Sequence, residues 1–444
     1  MKKIGIIICI IYLFLSVSNM GYSQKNVLHL NILEPGQPQL NITLIPPIFL
    51  GTQKNYDNST KELVDKFYQI FLNNLSYLPF LNLINPDALI GGEKINGVTL
   101  RDIDFGKFAL NKIDLLITIG WKIIEKQNIK IEVRTFDVYT PSLYLGRGYI
   151  INKQVHTYLA ANKFCGLFMK KLTGRSGFFQ SKIAFVKRLK NGSKNLFIST
   201  PQGYLQKQIT FLKGIVLSPA WSWDGKKLAF TYLSNNQHKL LIWSADGTIK
   251  NVFIPGNTII SPSFTPNGEI VVSSDMKGNP DIYLLDEKFK VKKALVSSWA
   301  IDISPSFDKK GDKMAYVSSI YGNPNIFLYD FKNKKTIRVS YLGKYNTNPC
   351  ISSNGKYIVY STLTDKGHRI VLTDLKTLEE KIITNGPGND EHPVFGPDDY
   401  FIAFTSNRSG TYKIYITTKD GTHPRVVNTG EGEATSVAWS KTPF

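Results

Sequence analysis

The stretch Ser218-Pro-Ala-Trp-Ser-Trp-Asp-Gly-Lys-Lys-Leu-Ala-Phe230 decides the fold, because variants of it recur along the second half of this 444-residue chain. The variants begin at Ser261, Ser304, Asn348 and His392, and the proline after each of these residues recurs at intervals of 43, 43, 44 and 44 residues. A repeat of roughly 40–50 residues that holds several short strands is typical of β-propeller blades. The sequence therefore predicts a propeller in this half of the chain.

Each repeat is predicted to contribute four strands. A turn with Asp-Gly or Asn-Gly follows the first strand, since these residues tolerate positive φ. A nearly continuous apolar segment such as Leu228-Ala-Phe230 comes next, as is typical of a strand buried on both faces. After a second turn, segments such as Asp281–Leu285 and Asn325–Tyr329 predict further strands. The first strand is predicted to end at an apolar residue in each repeat: Trp221, Phe264, Phe307, Ile351 and Phe395.

The two ends of the repeat region indicate how the ring closes. Ser181-Lys-Ile-Ala-Phe-Val186 matches the second strand of a repeat with no first strand before it, and Ser436-Val-Ala-Trp-Ser440 matches a first strand with no repeat after it. We expect the C-terminal strand to complete the first blade, which removes the open edge of the ring. This predicts a six-bladed β-propeller closed by the C-terminal strand over residues 181–444, preceded by a hinge over residues 174–180 that contains Gly174-Arg-Ser-Gly177.

Residues 24–173 do not repeat and are predicted to form a small N-terminal α/β domain, so the chain combines an α+β part with an all-β part. The predicted strands are Asn41–Ile45, Phe80–Ile84, Leu115–Ile119, Ile129–Arg134 and Leu145–Ile151. Helices are predicted near Phe105–Leu110, over Val155–Leu172, and from a capping box at Ser59-Thr-Lys-Glu62.

The charge of the chain invites a nucleic-acid interpretation, since 54 Lys and Arg stand against 34 Asp and Glu for a formal net charge of +20. The N-terminus argues against it, because Lys2 and Lys3 precede an apolar run from Ile4 to Val17 and a small, polar exit through Ser23. This pattern predicts a cleaved signal peptide over residues 1–23, and the run of about 14 residues is short for a membrane anchor. The lysines are otherwise scattered, which indicates a solvated surface.

The sequence offers no recognisable chemistry. Cys165 and Cys350, the cysteines that remain after cleavage, lie far apart and are expected to be buried free thiols. No histidine lies at ligand spacing with Cys, and the Gly-x-Ser-x-Gly, Gly-Lys-Ser/Thr and His-Glu-x-x-His motifs are missing from the sequence. Asp390-Glu391-His392, the one local cluster of acids and histidine, is expected in a solvated loop. No catalytic residue, metal or cofactor is therefore predicted.

The junction between the predicted domains resembles that of the TolB family, the periplasmic propeller proteins of the Tol–Pal envelope system. The resemblance continues through the repeats to the C-terminal strand and covers nearly the whole mature chain. The residues that carry it are Asn152-Lys-Gln154, His156 through Lys171-Leu-Thr-Gly174, Gly177-Phe-Phe179 and Lys182–Val186, then Leu217–Phe230 and Ala438-Trp-Ser440, with Lys112–Gly120 and Val133–Val138 upstream.

This resemblance implies a non-enzymatic periplasmic adaptor. The family binds Pal, the peptidoglycan-associated lipoprotein of the outer membrane, through the propeller, and TolA, which spans from the inner membrane, through a flexible N-terminal segment. The system supports outer-membrane invagination at division and outer-membrane integrity, and other outer-membrane proteins are further candidate partners. Carried over by position, the TolA-binding segment is Gln24, Lys25, Asn26, Val27, Leu28, His29 and Leu30.

The resemblance also implies a Pal-binding face, in the loops just before each innermost strand. In a propeller these loops meet at one mouth of the central channel, so distant repeats converge on one partner. Apolar and small hydroxyl-bearing residues suit a desolvated contact with a few hydrogen bonds. Thr258 and Ser304 stand where better-known members carry His and Glu. The carried-over positions are Leu217, Ser218, Thr258, Ile260, Ser261, Ile303, Ser304, Thr347, Asn348, Glu391, His392, Thr435 and Ser436.

Two other functions compete with the adaptor. A propeller hydrolase or lyase that acts on envelope polymers would lose turnover when acids that face the channel are changed. A nucleic-acid binder is disfavoured by export and by the lack of an aromatic–basic motif.

Overall fold

An N-terminal α/β region and a C-terminal β-propeller make up the computed structural model, which describes residues 39–52, 56–90, 95–125 and 128–442. The predicted signal peptide and the predicted TolA-binding segment, Gln24–Leu30, lie outside the described residues. Within these ranges, no helix has the length and the apolar character that a membrane crossing needs.

One mixed sheet organises the N-terminal region, with strand order β3-β1-β4-β5-β6 and β2 beside β4. Strand β1 lies parallel to β3 and β4, whereas β5 is antiparallel to β4 and β6. Because side chains alternate along a strand, Ile117 and Ile119 of β4 pack against α1 and α3, while Leu116 packs with α2 on the other face. In chain order the elements are β1 (Leu40–Leu44), β2 (Ile48–Phe49), α1 (Asn58–Ser76), β3 (Leu81–Ile84), α2 (Phe105–Leu110), β4 (Leu115–Glu125), β5 (Asn128–Asp137), β6 (Ser142–Ile151) and α3 (Gln154–Thr173).

The predicted strands and helices of this region are confirmed, with ends that differ by a few residues. The start of α1 is a correction. Asp57 caps this helix, and its carboxylate accepts a hydrogen bond from the Thr60 N–H at 2.7 Å. The prediction of a capping box that starts at Ser59 and ends at Glu62 was wrong. The N-cap residue is Asp57, two residues before Ser59, and its carboxylate satisfies a free backbone N–H of the first turn.

An eight-stranded sheet opens the propeller, with strand order β13-β12-β11-β10-β8-β7-β30 and β9 beside β8. The last strand of the chain, β30, therefore pairs with the first strand of the propeller, β7. The strands of this sheet that come first in the chain are β7 (Ile183–Arg188), β8 (Lys194–Ser199), β9 (Lys207–Gln208), β10 (Ile215–Trp221), β11 (Lys227–Ser234), β12 (Gln237–Ser244) and β13 (Ile249–Val252).

Four antiparallel sheets of four strands follow, and each contains one repeat. They consist of β14 (Ile259–Phe264), β15 (Ile270–Ser274), β16 (Asp281–Leu285) and β17 (Val291–Val296); β18 (Asp302–Phe307), β19 (Lys313–Ser318), β20 (Asn325–Asp330) and β21 (Lys335–Arg338); β22 (Asn346–Ile351), β23 (Tyr357–Thr364), β24 (Gly367–Asp374) and β25 (Glu380–Ile382); β26 (Asp390–Phe395), β27 (Phe401–Ser406), β28 (Lys413–Thr418) and β29 (Arg425–Val426). The chain ends with β30 (Ala434–Trp439).

The first strand of each repeat and the last strand of the chain occupy equivalent places, and we call β10, β14, β18, β22, β26 and β30 the inner strands. The predicted apolar ends of the first five are confirmed, since these strands end at the five residues expected. The turns that follow contain Gly225, Gly268 and Gly355 at φ of 70°, 87° and 66°, the positive values that the turn prediction requires.

The N-terminal region and the propeller share one hydrophobic core. Phe178 is fully buried in it, and its ring centroid lies 4.2 Å from that of Phe401 and 5.8 Å from that of Trp439. Nearby, the Trp439 Nε1–H donates to Ser181 Oγ at 2.7 Å, and Arg175 donates to the Asp398 carbonyl at 2.8 Å. The segment predicted as a hinge therefore supplies packing as well as connection.

Candidate functional site at the mouth of the propeller channel

Each inner strand carries one non-glycine residue in the left-handed region, with φ between 48° and 59°. Each of these residues lies at a break in the pairing register with the neighbouring strand, which marks a β-bulge. Left-handed backbone is costly for residues other than glycine, and such strain is concentrated at functional sites. We call these residues the bulge ring: Ser218, Ser261, Ser304, Asn348, His392 and Ser436.

All members of the bulge ring line one cavity of about 190 Å³, and residues of every inner strand surround it. The Oγ atoms of Ser261 and Ser304, in neighbouring strands, lie 3.2 Å apart. A second cavity, of about 220 Å³, lies where the turns after the inner strands meet, and Trp223, Lys309 and Lys441 contribute to its lining. Trp223 and Lys441 line both cavities, so the first cavity extends along the channel from the small polar groups of the bulge ring towards the end where indole and ammonium groups lie.

The carried-over Pal positions converge on the mouth that holds the bulge ring, and all thirteen are half-buried. Their local structure is a correction. Apart from Thr258, they lie within the inner strands and not in loops before them, because each inner strand begins before its bulge. The bulge leaves backbone and side-chain groups out of the ladder, so these strand residues present polar atoms at the mouth as a loop would.

The cluster Asp390-Glu391-His392 was expected in a solvated loop, and this expectation was wrong, because these residues begin β26. Asp390 is fully buried, and its carboxylate accepts a hydrogen bond from Arg408 at 2.8 Å. Burial lowers the pKa of His392, and the carboxylate of Glu391 opposes that shift. The buried Nδ1 of His392 has no hydrogen-bond partner among the described residues, so this imidazole is a polar group available to a bound molecule.

One arrangement near the mouth bears on the hydrolase alternative. Ser361 Oγ lies 3.4 Å from His368 Nδ1, and His368 Nε2 lies 3.9 Å from Glu391 Oε1. Ser361 is fully buried, however, and its hydroxyl donates to the Asp390 carbonyl at 3.1 Å. A nucleophilic serine must be accessible to its substrate and must donate its proton to a base. Ser361 is buried and donates to a backbone carbonyl instead, so it is a structural hydrogen-bonding residue. The described residues contain no group of His, Cys, Asp and Glu that could hold a metal ion.

Sequence reasoning missed a set of exposed aromatic side chains around the same mouth. They lie in loops that lead into the inner strands, apart from Tyr321, which lies between the second and third strands of its sheet. Because neighbouring strands run antiparallel, both kinds of loop lie on the side where the inner strands begin. Their signal in the sequence is an aromatic residue in a loop otherwise rich in Gly, Ser, Thr and Asn. They are Phe211, Phe253, Trp299, Tyr321, Tyr341 and Tyr345.

Of the two cysteines, Cys165 lies in the shared core and Cys350 lines the cavity of the bulge ring. Both are free thiols, Cys165 in the shared core and Cys350 half-buried in β22. Burial raises the pKa of the Cys165 thiol far above its usual range, which keeps it in the unreactive protonated form.

Known proteins that resemble this chain carry the name TolB. A family model described as the TolB beta propeller domain matches residues 169–443. A protein of Nitratidesulfovibrio vulgaris named Tol-Pal system protein TolB is 36% identical over 301 residues, which cover 68% of this chain and 67% of that protein. The protein of the same name from Desulfosudis oleivorans is 34% identical over 232 residues, and the match spans 52% of each chain.

A solved structure shows the same fold over most of the chain. The crystal structure of TolB from Acinetobacter baumannii superposes with a TM-score of 0.77 and covers 91% of this chain and 97% of the other, at 21% sequence identity. The α/β region and the propeller are thus both present in that protein.

Proposed function

The chain belongs to the TolB family of Tol–Pal system proteins, and from this premise we propose that it is a non-enzymatic periplasmic adaptor. The propeller binds a Pal-like peptidoglycan-associated lipoprotein, and the N-terminal segment Gln24–Leu30 binds a TolA-like inner-membrane protein. Through these contacts the protein supports outer-membrane invagination at cell division and outer-membrane integrity. Other outer-membrane proteins are further candidate partners.

The observation that carries the proposal is the bulge ring. Its members come from inner strands that are far apart in sequence, yet they line one cavity of about 190 Å³. This geometry suits the insertion of one loop or side chain of a partner, which would meet small hydroxyl groups and the free Nδ1 of His392. Half-buried positions of this kind lose water on binding and specify hydrogen bonds, as polar contact positions within a protein interface do.

We further infer that the propeller is a closed ring of six blades. The eight-stranded sheet divides between β8 and β10 into two four-stranded units, one of which consists of β30, β7, β8 and β9. Strand β30 pairs antiparallel with β7 from Ala434 opposite Lys187 to Trp439 opposite Ile183, so the C-terminus supplies the inner strand of the first blade. We place the N-terminal domain at residues 24–173, the hinge at 174–180 and the propeller at 181–444.

Crosslinking in the native envelope tests the function. A photo-crosslinker at Ser304, which lines the cavity, is expected to capture a Pal-like lipoprotein. The matched control position is Asn333, an exposed residue in the turn between the third and fourth strands of the same sheet, which lies on the opposite side of the propeller. Deletion of Gln24–Leu30 is expected to remove crosslinks to a TolA-like protein and to leave the lipoprotein crosslink. Equal capture at Ser304 and Asn333, or none at either, would contradict the proposal.

A further inference from the structure

The exposed aromatic side chains around the mouth form a one-sided surface. We call Phe211, Phe253, Trp299, Tyr321, Tyr341 and Tyr345 the aromatic arc; their exposed fractions lie between 46% and 87%. Isolated exposed apolar residues are ordinary, but several large ones on one face of a propeller indicate a contact surface. Tyrosine, tryptophan and phenylalanine are also the residues enriched where protein interfaces are most strongly held.

Two other loops that lead into inner strands at the same mouth differ in chemistry. Residues 384–389 and 427–433, which lead into β26 and β30 and are described in full, carry no exposed large apolar side chain. They contain two glycines each and, in the second loop, the carboxylates of Glu431 and Glu433. Equivalent loops of one repeat architecture thus carry aromatics over one part of the ring and glycines over the other. A partner that bound only on the axis of the channel would contact all these loops alike, so the difference between them would have no role in binding.

Hydrogen bonds hold the arc in place. The Leu363 N–H donates to the Tyr345 carbonyl at 3.0 Å, and the Tyr341 N–H donates to the Glu380 carboxylate at 3.0 Å. The loop with Trp299 is tied by Asn279, whose amide donates to the Ser298 carbonyl at 3.0 Å. These bonds fix the backbone of the two loops that carry Trp299, Tyr341 and Tyr345, so these loops lose little conformational freedom on binding.

The size and charge of the arc fit a folded protein partner. A fully exposed aromatic side chain presents about 150–250 Å². At their observed exposures the six offer on the order of 800 Å², which is about what one partner buries in a stable protein interface. Lys213, Lys277 and Lys344 are exposed in the same group of loops, so the complementary surface is apolar with acidic groups at its rim.

We propose that the lipoprotein partner docks off-centre, on the aromatic arc, with Phe253 and Trp299 as anchors and with an acidic, apolar surface facing them. This inference rests on the proposed function, because it specifies how the Pal-like partner sits at the same mouth. The bulge ring then specifies hydrogen bonds at the edge of the contact, while the aromatic arc supplies most of the affinity.

Binding of the purified soluble domain of the Pal-like lipoprotein from the same organism tests this inference, with affinities measured by calorimetry on the full mature chain. Trp299→Ser and Phe253→Ser are each expected to weaken binding by about tenfold to a hundredfold. Tyr139→Ser is the matched control, because Tyr139 is 58% exposed in the N-terminal region. It is expected to change the affinity less than about twofold. Lys213→Glu with Lys344→Glu is expected to slow association more at low salt than at high salt.

The outcomes separate the inference from the function. If the wild-type chain does not bind the lipoprotein, the proposed function fails. If it binds and both aromatic variants bind equally well, the off-centre docking is wrong while the function stands. Two further assays cover other occupants of the arc. If the variants lose self-association in analytical ultracentrifugation while their lipoprotein affinity is unchanged, the inference is overturned in favour of a second copy. If they instead lose binding to vesicles of phosphatidylglycerol while their lipoprotein affinity is unchanged, it is overturned in favour of a membrane surface.

Discussion

Replacement of Phe178 by alanine tests how the N-terminal region and the propeller are held together. The side chain is 0% exposed, and its ring lies 5.7 Å from that of Tyr77 on the N-terminal side and 4.2 Å from that of Phe401 on the propeller side. Burial of a phenylalanine side chain contributes roughly 1.5–3 kcal/mol. A phenyl-sized cavity of roughly 100 Å³ costs about 2 kcal/mol more, at ~24 cal/mol per Å³. We therefore expect Phe178→Ala to lower the free energy of unfolding by about 4 kcal/mol.

The assay is thermal unfolding by differential scanning calorimetry, together with urea denaturation. For a chain of this size, about 4 kcal/mol corresponds to a fall in Tm of roughly 4–5 °C. Phe211→Ala is the matched control, because it removes the same ring from a site that is 79% exposed. The control is expected to change the free energy of unfolding by less than about 0.5 kcal/mol. If Phe178→Ala and Phe211→Ala shift Tm equally, the reasoning that places Phe178 in a shared core is refuted.

Three further predictions concern the bulge ring, a buried acid and the closing strand. Ser304 has φ of 59°, so Ser304→Val is expected to destabilise the protein by about 1–3 kcal/mol while Ser304→Gly leaves it nearly unchanged; equal urea midpoints for the two variants would contradict this. Burial raises the pKa of Asp398 to about 6, so the stability that its protonated form contributes is lost as pH rises from about 4 to about 6. Asp398→Asn is therefore expected to gain roughly 2–3 kcal/mol over the wild type near neutral pH and nothing below about pH 4, and a gain independent of pH would be inconsistent with this cause. Truncation after Gly432 removes β30 and leaves β7 without its partner, so it is expected to abolish cooperative unfolding, whereas truncation after Lys441 is expected to leave it intact.

The repeat chemistry made the propeller predictable. Turn residues such as Gly225 need positive φ, and the apolar residue before each turn needs burial, so both leave a local signature at a constant interval. The ends of the inner strands were predicted to the residue for this reason. The cap of α1 was missed because several residues near Asp57 can accept the same hydrogen bond, and local sequence does not decide among them.

The candidate site was only partly predictable. The carried-over positions do converge at one mouth, but their placement in loops was wrong, because the recurring Ser-Pro, Asn-Pro and His-Pro pairs are as compatible with a loop as with a β-bulge inside a strand. The aromatic arc was missed altogether. An aromatic residue in a short loop is as compatible with burial under a neighbouring sheet as with exposure, and its exposure depends on which loops meet at the mouth.

The sequence by itself determined the repeat, the order of short strands and turns, and the family, because each depends on residues that are close together along the chain. Only the tertiary structure decided which residues meet. It joined β30 to β7 across more than half of the chain, buried Phe178 between two regions, and separated one mouth with small polar groups and exposed aromatics from another with Lys309 and Lys441. The physical reason is that exposure and convergence are properties of packed surfaces, and packing brings together side chains whose distance in sequence carries no information about their distance in space.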